Sequence, residues 1–321
     1  MIKKKNVTLV FIMVGLAIGT LACGTNKAVP QQPQQPVPST GQTTSSPDEN
    51  PGGSRTGTPP AAVPAEGDKL IFPHIPVDHI VVVIEENHSY NQIVGNTQAP
   101  FLQSLIGRGA LFTNAHGIGN PSQPNYFALF SGSTQNVKDD SCKGPFSADN
   151  LATELMKANL SFAGYSEGLP SAGFTGCSSG GYARKHNPWA QFTNVPKEMN
   201  KPMTEFPSDY TKLPTVSIVV PTLQNDMHDG TIQEADSWLK KYMEAYVSWA
   251  DKNRSLFIIT WDEDNSNKNH IPVIMVGPMI KAGAYPDPIN HYHVLRTIED
   301  LYQLHPLGET KKVQAQSAIW K

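Results

Sequence analysis

"VVVIEENHSY", residues 81–90, sets four apolar residues against a polar cluster of Glu85, Glu86, Asn87, His88 and Ser89. A continuous Val/Ile run is the pattern of a strand buried on both faces of a parallel sheet. In open α/β folds the ligand site lies beyond the carboxyl ends of such strands, so this cluster stands where a site would be. A strand that merely runs into a solvated loop would show the same residues, because loops are commonly polar.

Further apolar runs occur at HIVVVI (79–84), LFTNA (111–115), SFAGYS (161–166), TVSIVV (215–220), LFIITW (256–261) and PVIMVG (272–277), and each reads as a strand. Between them, APFLQSLIGRG (99–109), NLATELMKANL (150–160) and TIQEADSWLKKYMEAYVSWADKN (231–253) have helical periodicity. Strands alternating with helices predict an α/β fold, a mainly parallel central sheet with helices on both faces. Trp238, Tyr242, Tyr246 and Trp249 form one stripe on the longest helix; without a basic polar face it predicts core packing, not a membrane-surface helix.

The first residues divide differently. Residues 1–22 have a basic start at Lys3, Lys4 and Lys5, an apolar stretch from Val7 and small residues before Cys23, the pattern of an export signal. "TLAC" matches a bacterial lipobox, in which the new N-terminal cysteine is lipidated; an uncleaved anchor is the alternative. Residues 23–67 add a Pro/Gln/Ser/Thr-rich linker that cannot form a core. Roughly 255 residues remain, 68–321, enough for one α/β domain.

The formal net charge of −3 gives no basic footprint for nucleic acid. If the chain is exported, Cys23 is expected to take lipid, leaving Cys142 and Cys177 as the only possible internal pair of the three cysteines. An oxidising compartment favours their bridge, with two buried free thiols as the alternative.

Polar residues recur where predicted strands end: EENHS after the first, NAHGIGNPSQPNY after the second, PTLQNDMHDG after the fourth and WDEDNSNKNH after the fifth. Carboxylates, histidines and hydroxyls converging on one sheet edge describe a site for a hard divalent cation.

The segments IEENHSYNQIVG, PSQPNYFALFSG, YARKHNPW, NDMHDG, DSWL, TWDED and HYHVLRTIEDLY, in this order between His79 and Leu304, resemble the bacterial phosphoesterase family. That family comprises secreted acid phosphatases and non-haemolytic phospholipases C, and the resemblance implies an alkaline-phosphatase-like fold. It also implies roles. Glu86 and Asn87 would reach a metal from the first strand, and Asp262 and Glu263 would complete its shell. Ser122 would be the nucleophile at the turn opening a helix, near backbone N–H groups that favour a phosphate oxyanion; an ordinary helix cap is its bland alternative. Asp226, His228, Asp229 and His270 would hold a second ion, so one or two divalent metals are expected. Lys185 and His186 would act on the phosphate or leaving-group oxygen, and Asn125, His291 and His293 would bind substrate.

The implied reaction is attack of metal-bound Ser122 on phosphorus, giving a phosphoseryl enzyme that water then hydrolyses. Phospholipase C members are longer, which favours a phosphomonoester hydrolase of the acid phosphatase type over a phosphodiesterase. A non-catalytic surface binding lipoprotein is the alternative of another class. The expected partners are a small phosphorylated substrate and, through the lipid anchor, the bacterial membrane. The protein is expected to be a monomer outside the cytoplasm, partly shed. Changing Cys23 to Ser should release it from membranes or leave it unprocessed; unchanged acylation and fractionation would count against the anchor.

Overall fold

The computed structural model describes residues 75–264 and 266–321. The expected export signal, Cys23 and the linker lie outside the described residues. Among those described, the chain forms β1 (His79–Glu85), α1 (Tyr90–Ile93), α2 (Pro100–Arg108), β2 (Ala110–His116), α3 (Ser122–Ser131), α4 (Leu151–Lys157), β3 (Phe162–Ser166), β4 (Ser178–Ser179) and β5 (Tyr182–Ala183). It continues through β6 (Asn200–Pro202), β7 (Val216–Val220), α5 (Ile232–Ala250), β8 (Ser255–Trp261), β9 (His270–Val276), β10 (Gly283–Tyr285), β11 (Ile289–Asn290) and α6 (His291–Leu301).

A nine-stranded sheet runs in the order β10-β2-β9-β8-β1-β7-β3-β6, with β11 also paired to β2. The opening stretch is its centre: β1 pairs in parallel with both β7 and β8, and Ile80–Ile84 are buried. Each strand predicted from an apolar run forms. One of them, β9, runs against both of its neighbours. Residues 262–269 alone join it to β8, whereas a parallel return needs a crossover of about a dozen residues or more. Two successive reversals restore the direction of β2, so β1, β2, β3, β7 and β8 end at one edge, where β9 begins. The pairing of His116 with His270 shows this registration.

The short strands β6, β10 and β11 carry too little sequence to show a period. Pro202 in β6 fits its place at the end of the sheet, because a proline cannot donate to a ladder.

The aromatic stripe of α5 packs inward. Tyr246 is fully buried, lies 6.3 Å from Phe257 and donates to the Leu256 carbonyl at 3.1 Å. The helix starts at a capping box, Thr231 Oγ1 accepting from the Glu234 amide while Glu234 Oε2 accepts from that of Thr231. Buried Asp236 on α5 accepts from the amides of Phe101 and Leu102 and so caps α2, whose own N-cap, Ala99, has no side-chain acceptor.

Cys142 and Cys177 are joined by a disulfide with Cα atoms 5.7 Å apart. It fastens the loop before α4 to the β4–β5 ribbon. Closing a loop of 35 residues constrains the unfolded chain by about 4 kcal/mol in the loop-entropy account. The double variant Cys142→Ala with Cys177→Ala is therefore expected to lose about 3–4 kcal/mol in a denaturant titration; a loss under about 1 kcal/mol would show that the bridge adds no constraint that matters.

Candidate active site

Three strand ends are tied together by backbone. The Glu86 amide donates to the Asp226 carbonyl at 2.7 Å, and the Asp262 amide donates to the Glu85 carbonyl at 3.0 Å. Asn87 turns the chain at φ 50°, a left-handed conformation that Asn adopts more readily than most residues, and its amide donates to Asp262 Oδ1 at 3.1 Å. Successive strand residues point to opposite faces, so Glu85 and Glu86 diverge. Glu86 and Asp262 are 0% and 1% exposed, which removes the solvated-loop reading of both segments.

The opposite wall is α3. Its N-cap is Pro121, after a cis Asn120–Pro121 bond, so Ser122 is the first helical residue and does not cap the helix. Ser122 Oγ donates to Glu86 Oε2 at 2.9 Å. One turn later the Tyr126 hydroxyl donates to the other oxygen, Glu86 Oε1. Tyr126 stacks on His186 with ring centres 4.9 Å apart. The His186 ring stands between two carboxylates, Nε2 at 3.1 Å from Glu86 Oε1 and Nδ1 at 3.3 Å from Asp226 Oδ2.

Lys185 approaches from the same turn as His186. Its Nζ donates to Asp140 Oδ2 at 2.7 Å and lies 3.3 Å from His228 Nε2. His228 is oriented by Asp229 Oδ1 at 2.7 Å from Nδ1, and its amide donates to Asp226 Oδ1 at 2.9 Å. Met227, between them, is held at φ 78°, a strained conformation for this residue type. Asp140 Oδ1 accepts from the Gln123 amide at 3.0 Å, so this helix-end N–H is bound within the protein.

Glu86, Asp226, Asp262 and Glu263 thus lie close together and buried, and the energetics follow. Burial raises the pKa of Glu86 well above the carboxylate range, with the charges of Asp262 and Asp226 adding to it. Burial likewise raises Asp226 and Asp262, and it pushes Glu263 to about 8, with Asp262 next in effect. His186 moves the other way: burial, then the neighbouring Lys185 and His228, hold it well below its ordinary value and keep the ring neutral. On the opposite face Glu85 is buried, its pKa raised by burial, and neither carboxylate oxygen has a partner among the described residues.

This donor set fits a hard cation. Buried Asn87 Oδ1, Asp226 Oδ2 and Asp262 Oδ2 have no hydrogen-bond partner among the described residues. One ligand atom each from Glu86, His186 and His228 lie within 4.8 Å of one another. Repelling carboxylates, orphaned oxygens and a neutral imidazole are what a divalent ion would satisfy.

Other predicted site residues have different partners. His270 Nε2 is 3.0 Å from the Thr113 carbonyl, and its ring is stacked between Tyr90 and His116. The position before β9 was expected to supply a ligand; its ring nitrogen is instead engaged by the β2 backbone. Buried His291 sets Nε2 at 3.0 Å from the Trp261 carbonyl, and burial lowers its pKa to about 4. His293 Nδ1 accepts from the Asn290 amide at 3.2 Å, closing a capping box at the start of α6. Both were expected at the substrate and are engaged in fixing α6. Asn125 accepts from the amides of Ile118 and Gly119 and donates to the Gly119 carbonyl, bracing the turn before Ser122, with a longer contact of 3.4 Å to Glu263 Oε2. His186, expected on the phosphate, joins the carboxylates. Tyr126 and Asp140 carry no assignment in the sequence reading. The four-residue spacing from Ser122 was a usable signal for Tyr126, while Asp140 reads as an ordinary loop acid.

Comparison with known proteins agrees with this geometry. The sequence profile of the Phosphoesterase family matches residues 96–305. A phosphatidylinositol-3-phosphatase of Mycobacterium tuberculosis is 44% identical over 246 residues, 75% of this chain and 82% of that protein. A probable acid phosphatase of Kluyveromyces lactis is 30% identical, covering 71% of this chain, which spans 58% of the yeast protein. Among solved structures, a protein of the alkaline phosphatase superfamily from Vibrio parahaemolyticus superposes with a TM-score of 0.51 at 15% identity, over 74% of this chain and 71% of its own. That likeness establishes the alkaline-phosphatase-like fold. The chain belongs to the Phosphoesterase family, hydrolases of phosphoric esters.

Proposed function

We propose that this protein is a metal-dependent phosphomonoester hydrolase of the acid phosphatase type, acting outside the cytoplasm, with Ser122 as its nucleophile. The observation that carries this reading is the contact of Ser122 Oγ with Glu86 Oε2 at 2.9 Å, a hydroxyl opening a helix and aimed into a buried carboxylate cluster. The Cys142–Cys177 disulfide supports an oxidising, extracytoplasmic setting. The names of the mycobacterial and yeast relatives support phosphomonoesters as the substrate class, including the 3-phosphate of phosphatidylinositol.

One or two divalent ions would be held by Glu86, Asn87, Asp226, Asp262, Glu263, His186 and His228. Such an ion supplies charge neutralisation for the incoming phosphate and acidifies a coordinated hydroxyl. Ser122 Oγ forms the bond to phosphorus as the ester oxygen leaves with a proton from solvent, and Glu86 Oε2 is the acceptor already placed for the serine proton. Tyr126, donating to the other oxygen of Glu86, fixes the orientation of that acceptor. Lys185, neighboured by Asp140 and His228, supplies positive charge for the phosphoryl oxygens. Water then attacks the phosphoserine and gives up a proton to solvent, phosphate departs, and Ser122 takes back the proton held on Glu86.

Removing the metal with a chelator should abolish hydrolysis of p-nitrophenyl phosphate and re-addition should restore it, while Asp262→Asn should lower the metal content measured by elemental mass spectrometry. Full activity in metal-free protein would remove the metal from this mechanism. Ser122→Ala should reduce kcat by about 10³-fold or more in a folded protein, since losing one hydroxyl contact costs only about 1 kcal/mol of stability. Acid quenching of wild type during turnover should leave phosphate on the peptide containing NPSQPNY. An unphosphorylated peptide with substrate in excess, together with appreciable activity in the alanine variant, would instead indicate direct attack by water.

A further inference from the structure

Outside the carboxylate cluster, a cavity of about 320 Å³ opens between the loop at 143–145, the segment 189–197 and the turn at Arg184. That volume is in the range of small-molecule sites. Pro145, Trp189, Phe192 and Val195 give it an apolar wall. Its charged lining residues are Lys143, Arg184 and Lys197, of which Lys143 is paired with Asp139 at 2.6 Å. Trp189 is seated there by close backbone approach: a Cβ on Gly164 of β3 would lie 2.0 Å from the indole.

Two polar atoms of its lining residues have no partner among the described residues. Arg184 donates to the carbonyls of Thr175 at 2.6 Å and Lys143 at 3.1 Å, while its buried Nε has no acceptor. Gln191, 3% exposed, donates through Nε2 to the Arg184 carbonyl at 3.0 Å, and its Oε1 has no donor. Both atoms are closed off by protein, so what a ligand meets here is the exposed Lys197 and the apolar wall.

Cavity and cluster share two pieces of chain. The turn Arg184–His186 gives Arg184 to the cavity, and Lys185 and His186 to the cluster. The loop from 139 to 145 gives Asp140 to Lys185, and Lys143, Gly144 and Pro145 to the cavity, with Cys142 pinned between them by the disulfide. We propose that this cavity receives the alcohol portion of the phosphomonoester and selects alcohols that carry a second anionic group and an apolar part. The inference rests on the phosphomonoesterase reading of the Ser122 site. Phosphatidylinositol 3-phosphate has this chemistry, with a phosphodiester as the second anion and acyl chains as the apolar part.

The test compares dibutanoyl phosphatidylinositol 3-phosphate with p-nitrophenyl phosphate, whose alcohol lacks a second anion, using the metal-loaded protein. Lys197→Glu reverses an exposed charge at little risk to the fold, and Ala190→Phe narrows the cavity. In each variant the kcat/KM of the lipid relative to the aryl ester should fall about tenfold or more, through KM. An unchanged ratio in both overturns the proposal. Inositol 1,3-bisphosphate should respond to Lys197→Glu like the lipid; an effect confined to the acylated substrate overturns the selection for a second anion. Dibutanoyl phosphatidylinositol, the alcohol without its monoester phosphate, should bind wild type in calorimetry and bind Lys197→Glu about tenfold more weakly or worse. No binding to wild type, or equal binding by both proteins, overturns the cavity assignment. Binding of that alcohol with no hydrolysis of any of the three esters would support the cavity and sink the reaction.

Discussion

Everything at this site depends on holding the Glu86 carboxylate out of water. An ionised carboxylate is costly to bury unless its oxygens are paired. Glu86 receives the hydroxyls of Ser122 and Tyr126, one turn apart on α3, and faces His186. Those contacts set where α3 begins and how the turn at 184–186 lies. Backbone bonds from Glu86 to Asp226 and from Asp262 to Glu85 then fix the neighbouring strand ends around it. A one-residue slip of β1 would exchange Glu86 for Glu85, which points to the other face and has no partner for either oxygen among the described residues.

The same burial creates a conflict that the protein alone resolves only by protonation. Burial first, then repulsion of Glu86 by Asp262 and Asp226 and of Glu263 by Asp262, raises the pKa values of these carboxyls. Lys185 is the cation nearby, and Asp140 takes part of its charge. His186 is driven neutral by its surroundings and has a lone pair to offer. Such an arrangement trades stability of the empty fold for affinity toward positive charge. Sites of function are where local rules of burial are most often broken.

Some of this was legible in residue order. The Val/Ile runs of β1, β7 and β8 announce buried strands because fully covered strands need apolar groups on both faces. Glu86 and Asp262 directly follow a strand, Ser122 opens the helix after one and Asp226 lies in the loop after β7, while their roles came from the family resemblance. The antiparallel course of β9 was implicit in the short connection after β8 but invisible to periodicity, which has no direction. β6 and β10 were too short to register.

The sequence by itself determined the α/β class, the single edge at which acidic and hydroxyl residues collect, and the pairing of Cys142 with Cys177 as the available bridge. These follow from patterns of period, composition and count. Only the tertiary structure decided which polar side chains meet. His186 lies 100 residues from Glu86 in sequence and yet 3.1 Å away in space, whereas His270, His291 and His293 turn to Thr113, Trp261 and Asn290. A loop residue's identity states what bonds it can make. Its partner is chosen by the packing of elements distant in the chain, because most buried nitrogens and oxygens take the acceptor or donor that the sheet and helices bring to them.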